Sequence, residues 1–309
     1  MVELSHTDSG ARLTSEPTYI FCIGATKAGT SWLYRYLADH PDCYFRTIKE
    51  LHYFNKLTEQ QFHQGAIALE PQIVRLETGR TFATPTAALR TARKLVDLGD
   101  WKTVLDEGEV VLPAYRSFLS DGRGGKTHVG DVTPAYALLP PNRLKLLLKV
   151  GSDVRMVFLM RDPIARLWSH VRMTAMRTAP KAFSTEAPAL LQRILAGEDR
   201  GEPKAIRARG DYKAILQQLG RAVEPARLLV MFYEDLMTVC GVTRLADYLG
   251  IARHPGKFGD RAFGGTSLAL PEDLRKAALT YLRPQYDYVA KHHRPLPDAW
   301  VNAMEEGFA

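Results

Sequence analysis

Cysteine is scarce in this chain. Cys22, Cys43 and Cys240 are the three among 309 residues, far apart and without CxxC spacing. That excludes a disulfide framework or a thiolate metal cluster, and it fits a reducing compartment where cysteine serves as a small buried apolar residue. Long hydrophobic runs are missing too. No stretch approaches the roughly 18 apolar residues that span a membrane, and the polar N-terminus has no apolar signal core. The chain therefore reads as cytoplasmic and non-integral, with residues 1–17 disordered and residues 18–309 forming a single domain. A chain of this length buries enough core to fold without a disulfide or a structural metal. Internal repeats, low-complexity tracts, zinc-finger spacing and RNP-like aromatic patterns are all lacking. With the basic residues spread along the chain, nucleic acid is not expected as a partner. The net charge of +7 then has two readings. One is a solvated Arg-rich surface; the other is attraction for nucleotides, acidic glycans or an anionic lipid surface touched peripherally.

What the chain does have is an alternation of strand and helix patterns. Residues 19–23 (YIFCI) form a short apolar run ending at Gly24, a buried strand followed by a turn. Trp32, Leu33, Tyr36 and Leu37 recur at helical spacing, predicting a helix from near Thr30 to before Pro41. Further strands are expected at 128–132, 154–160 and 227–232, the second almost wholly apolar, as in a sheet covered on both faces. Asp162-Pro163 supplies an N-cap and a first-turn proline for a helix over 163–176. Other helices are expected over 86–98, 110–119, 144–150, from 236 onward and over 271–289, while 121–125 and 256–265 read as long flexible loops. The alternation implies an α/β fold of three layers, a central and mainly parallel sheet flanked by helices.

Between the first strand and the first helix stands GATKAGTS, residues 24–31. The backbone N–H groups of such a loop, with the helix N-terminus, make an anion cradle. Gly24, Gly29 and Ser31 fit the nucleoside triphosphate loop GxxxxGK[ST], so the fold expected is P-loop-NTPase-like. Thr30, however, occupies the lysine position, and the lysine has moved back to Lys27. In the triphosphate loop that lysine reaches the β/γ-phosphates while a hydroxyl holds Mg²⁺. A donor with one phosphate–sulfate linkage carries less charge, needs no metal, and leaves the lysine for the bridging oxygen. Taken alone, the loop also fits a Gly-rich turn that merely packs helix on strand.

Read together, GATKAGTSWL (24–33), KELHYF (49–54), GDVTPAY (130–136) and VFLMRDPIARLWSH (157–170) resemble the sulfotransferases that use 3′-phosphoadenosine 5′-phosphosulfate (PAPS). The branch resembled contains the heparan-type and many bacterial enzymes. The likeness extends through Arg209-Gly-Asp-Tyr212 to the segment 229–236. It implies an enzyme that moves a sulfuryl group to a hydroxyl or amine of a glycan, lipid or small molecule, releasing PAP, without a metal. It also implies that Lys27, Gly29, Thr30 and Ser31 grip the phosphosulfate end of the donor, with Ala28 and Trp32 beside them in the donor site. Arg161 and Ser169 take the 3′-phosphate, and Tyr212 joins the donor site. The glutamate of the second motif, Glu50, is the implied base; His52 orients the acceptor, acts as the base itself, or is a satisfied structural histidine. Arg161 could instead pair with Asp162, and Ser169 could be tolerated helix surface. Two departures stand out. Val132 replaces the lysine that heparan-type enzymes carry, which counts against a heparan-like acidic acceptor. The C-terminal Lys-Gly-Arg-Tyr loop is missing, with residues 259–265 and Arg261 as its substitute. The rivals are a P-loop kinase, which needs Mg²⁺ and a lysine directly before Ser31, and a PAP-binding protein without turnover. Oligomeric state is not legible.

Overall fold

The computed structural model describes residues 15–79, 84–259 and 266–308. Its centre is one sheet of five strands: β1 (Thr18–Gly24), β2 (Cys43–Phe45), β3 (His128–Val132), β4 (Val154–Met160) and β5 (Leu228–Phe232). Their order is β2-β3-β1-β4-β5, and every pairing is parallel. The bounds of β3 and β4 are those expected from the sequence, and the expected strands at 19–23 and 227–232 are β1 and β5. The strand β2 was not foreseen, because three residues are too few for a period to show.

The sheet is flanked by helices: α1 (Thr30–Asp39), α2 (Glu59–Ile67), α3 (Glu70–Thr78), α4 (Pro85–Asp106), α5 (Leu112–Ser120), α6 (Pro141–Leu147) and α7 (Pro163–Thr178). After these come α8 (Phe183–Leu195), α9 (Gly201–Ala208), α10 (Tyr212–Ala222), α11 (Tyr233–Leu236), α12 (Val239–Leu249), α13 (Glu272–His292) and α14 (Asp298–Phe308). This is the P-loop-like α/β arrangement. Among the described residues no helix is long and apolar enough to cross a membrane.

Three differences from the sequence reading have physical causes. The helix expected over 86–98 continues through Gly99 to Asp106, because Trp101, Val104 and Leu105 bury beyond it. Residues 121–125 are a tied turn and not a long loop: Asp121 N–H donates to Ser117 O at 2.8 Å and Arg123 N–H to Ser120 O at 3.0 Å. At the chain's end α14 appears where no helix was expected. It buries Trp300 completely, with the rings of Tyr212, Phe232 and Tyr286 at 5.1–6.0 Å.

One glycine is required by the sheet itself. Gly130 in β3 faces Ile20 of β1, and a Cβ there would stand 2.0 Å from the Ile20 carbonyl oxygen. The strands must then separate, and overpacking of this kind costs about 1–3 kcal/mol or more. Gly130→Ala is expected to lower the urea midpoint accordingly; an unchanged midpoint would show that the sheet can absorb the methyl group.

Candidate active site

The loop after β1 turns sharply into α1. Gly29 has φ 88°, in the left-handed region, and a Cβ on it would meet the Tyr233 ring at 2.3 Å. Only glycine satisfies both demands. No side chain caps α1, so the N–H groups of Thr30 and Ser31 in its first turn are left for a ligand. Two members of the expected donor site do other work. Ala28 is fully buried and its N–H donates to Ala25 O at 3.1 Å, so it has no free donor to offer. Trp32 is buried between Tyr36 and Phe258, ring centroids 5.4 and 6.0 Å away, and its indole N–H donates to Lys257 O at 3.0 Å. It pins α1 to the segment ahead of residues 260–265. Arg261 lies outside the described residues.

Cations gather at the mouth of this loop. Lys27 lies with Nζ 3.6 Å from Met173 Sδ. Burial, followed by the charges of Arg161, Arg172 and Lys49, pulls its ammonium pKa down. Arg161, at the end of β4, donates from Nη1 to Lys27 O at 3.4 Å and lies 5.4 Å over the Tyr233 ring. Its main chain is clamped by Tyr212, whose hydroxyl accepts from Arg161 N–H at 3.0 Å and donates to Arg161 O at 2.8 Å. Tyr212 is fully buried, so it positions Arg161 rather than meeting a ligand. Asp162 does not pair with Arg161. Its oxygens accept from Ala165 N–H at 3.0 Å, capping α7, and from the Tyr286 hydroxyl at 2.5 Å. Glu234 accepts from Asp162 N–H at 3.0 Å and from the Trp300 indole at 3.3 Å. Burial, with Glu234 adding to it, pushes the Asp162 carboxyl up to about 6. This group's contribution to stability is therefore fullest in acid and declines as pH rises through about 6.

Ser169 is half-buried on α7, and Arg172 follows three residues later on the same face. Arg172 was missed by sequence reasoning; its signal was that spacing from Ser169. It donates from Nη1 to Thr266 O at 3.2 Å, while its buried Nε has no partner among the described residues.

Glu50 and His52 follow β2 in left-handed backbone, φ 65° and 53°. With Lys27 at 70° they are the three non-glycine residues of positive φ among the described residues, and the three nominated as catalytic. Such conformations cost of order 1–3 kcal/mol each and persist where surrounding contacts impose them. Those contacts are evident. Glu50 N–H donates to Val132 O at 3.2 Å and Tyr53 N–H to the Tyr136 hydroxyl at 3.0 Å. His52 N–H reaches Thr133 Oγ1 at 3.5 Å, and Thr133 in turn donates to buried Asp131 at 2.9 Å. Upstream, buried Asp97 accepts from Arg46 Nη1 at 2.8 Å and from Thr47 N–H at 2.6 Å.

The Glu50 side chain is 42% exposed, hydrogen-bonded by Lys49 and 3.6 Å from His52 Nε2. Burial alone would raise its pKa, but His52 and Lys49 outweigh that and bring the carboxyl down to about 2. Glu50 is therefore an ionised acceptor beside a cationic cleft.

The sequence pattern of the sulfotransferase family matches residues 17–255, well over half of the chain. The chain belongs to the sulfotransferase family. Among solved structures it is similar to a sulfotransferase from Alicyclobacillus acidocaldarius, with TM-score 0.60 and 22% identity over 92% of this chain and 98% of that one. It is also similar to the sulfotransferase domain from the curacin biosynthetic pathway, with TM-score 0.52 and 16% identity over 94% and 97%. At such identities the likeness is one of fold. No curated protein sequence matches the chain. Family and fold together make it an enzyme of sulfuryl transfer, acting on an acceptor of some kind.

Proposed function

We propose that the enzyme takes its sulfuryl group from PAPS and delivers it to a hydroxyl or amine of a glycan, lipid or small molecule, releasing PAP without a metal. The observation that carries this reading is the set of cations, Lys27, Arg161 and Arg172, converging on an uncapped helix N-terminus with no carboxylate bonded to any of them among the described residues. Cations held together in this way need an anion. The orphan Nε of Arg172 is one donor waiting for it.

The roles follow from position. Thr30, Ser31 and the loop N–H groups hold the phosphosulfate oxygens, and Lys27 supplies charge where the departing phosphate oxygen becomes negative. Arg161, fixed by Tyr212, forks onto the 3′-phosphate, with Ser169 adding a hydrogen bond. Glu50 accepts the acceptor's proton. Its depressed pKa makes it a weak base while Lys49 holds it, so the acceptor must displace Lys49 from the exposed carboxylate as it binds. Holding donor and acceptor collinear supplies a further share of the acceleration. Thr30 in place of the triphosphate loop's lysine is what favours a metal-free donor over a Mg²⁺-dependent nucleotide.

Calorimetric titration with PAP, with and without Mg²⁺, tests this. Wild type is expected to bind PAP equally well in EDTA, and Arg161→Ala to lose about 2–4 kcal/mol, roughly 30- to 1,000-fold in Kd. Binding of ATP that requires Mg²⁺, with none of PAP, would overturn the reading in favour of a kinase.

A further inference from the structure

Arg166 is a charge that the roles above leave unused. It sits on α7 four residues after the capping Asp162 and is 2% exposed. Its guanidinium packs so closely on Gly210 that a Cβ there would stand 1.9 Å from Nη2. Its side-chain hydrogen bond among the described residues is a long one, Nη1 to His170 Nδ1 at 3.5 Å. No carboxylate pairs with it among the described residues. Burial works against its charge, and its charged neighbour, Arg161, adds to that. His170, itself buried, is kept neutral by burial and then by Arg166, Arg209 and Lys27.

A buried cation without a counter-ion is costly, and an apolar side chain of similar size would serve the core better. Arg46 shows how this fold otherwise treats a buried arginine: it is bonded to both Asp97 and Asp100 at 2.8 Å. Arg166 lacks that provision, and it lies behind the site where Arg161 and Lys27 await an anion. We propose that Arg166 is a donor-affinity residue that never touches the donor, a fixed buried positive charge whose counter-ion is the polyanion held by Lys27 and Arg161. This rests on the PAPS reading of the cleft. The free enzyme bears the unfavourable field, and the bound anion relieves it. The glycine of the Arg209-Gly-Asp-Tyr212 segment is then required to make room for the guanidinium, while Tyr212 clamps Arg161.

The test uses the full chain as wild type, Arg166→Met and Arg166→Lys. Melting temperature is measured without ligand, and Kd for PAP and for inorganic pyrophosphate is measured at several salt concentrations. Arg166→Met is expected to melt higher than wild type when ligand-free. It should bind PAP about tenfold or more weakly, since a buried unit charge acts on an anion beyond contact distance where water does not screen it. Its affinity should also fall less steeply with salt, and Arg166→Lys should recover most of the loss. A merely structural arginine gives the reverse: a lower ligand-free melting temperature and unchanged PAP affinity in the variant that folds. That result overturns the inference and leaves the donor reading intact. Wild type that ignores PAP sinks the donor reading instead. Pyrophosphate then decides for Arg166, with a tenfold loss in Arg166→Met supporting it, and equal binding or none overturning it. Should Arg166→Met fail to fold, Arg166→Gln carries the same comparison.

Discussion

Replacing Glu50 with glutamine lowers kcat by about 10²–10⁴, the range a positioned proton acceptor contributes, and leaves PAP affinity within about threefold of wild type. Glutamine keeps the size and the hydrogen-bonding edge of the side chain but cannot take a proton. Glu50 hangs from the end of β3 through its own N–H and from Asp97 through Arg46 and Thr47, so the variant should hold its backbone. A lost rate can then be assigned to chemistry rather than to a moved loop. His52→Ala is the comparison that decides between the two candidates: if it loses more than Glu50→Gln, the histidine is the base. The pH profile gives a second discriminator. A carboxyl lowered to about 2 stays ionised throughout the neutral and mildly acidic range. Its stabilising pairs with Lys49 and His52 are fully present above the ordinary carboxylate range and are lost only as pH falls towards that value. A Glu50 base therefore predicts no downturn in kcat/KM between pH 8 and 5, and a downturn within that range would count against Glu50 as the base.

Lys27→Ala is expected to reduce kcat by about 10²–10³, equivalent to losing one well-placed donor to a developing oxyanion. PAP affinity should fall much less. Burial and three neighbouring cations oppose the Lys27 charge in the free enzyme, and the donor's anionic groups remove that opposition. Lys27 is consequently used most where new negative charge appears during transfer. The observable is a split: a large fall in single-turnover rate beside a modest rise in Kd for PAP. Equal losses in both would mean that Lys27 contributes only to ground-state binding. Lys27→Arg should not restore the rate, because the left-handed backbone at this position and the contact with Met173 are fitted to a slender ammonium.

Much of the fold was legible because its central strands carry their burial in their composition. Residues 154–160 are apolar at nearly every position, so the sequence gives a strand whatever its neighbours are. The first loop was equally open, since glycine at position 29 is demanded by backbone geometry that a reader can infer from the spacing alone. The rest was hidden for opposite reasons. Residues 178–209 hold α8 and α9; α8 buries a helical stripe of Phe183, Ala187, Leu190, Leu191 and Ile194, but Pro188 inside it reads in sequence as a break, and α9 is only eight residues long. At the site, Lys27, Glu50, Arg161 and Ser169 were nominated from motifs. The motif for Trp32, Ala28 and Tyr212 spoke only of neighbourhood, and each has turned its polar groups inward onto Lys257, Ala25 and Arg161. Arg172 belongs to no motif used in the reading, and Arg166 stands inside the 157–170 motif without a role assigned to it. Their significance is a matter of missing partners, which become apparent only in three dimensions.

The two helices at the end of the chain lie beyond residue 255, where the family pattern stops. Yet Tyr286 and Trp300 reach from them to the carboxylates behind Arg161. A boundary drawn at the end of the recognisable pattern would thus cut through the mounting of Arg161. Grafting this catalytic core onto another scaffold, or trading C-terminal segments between relatives, means carrying that aromatic pair across as part of the site. Variation among relatives in this stretch becomes a means of tuning the cleft around Arg161 from behind, without altering any residue that lines it.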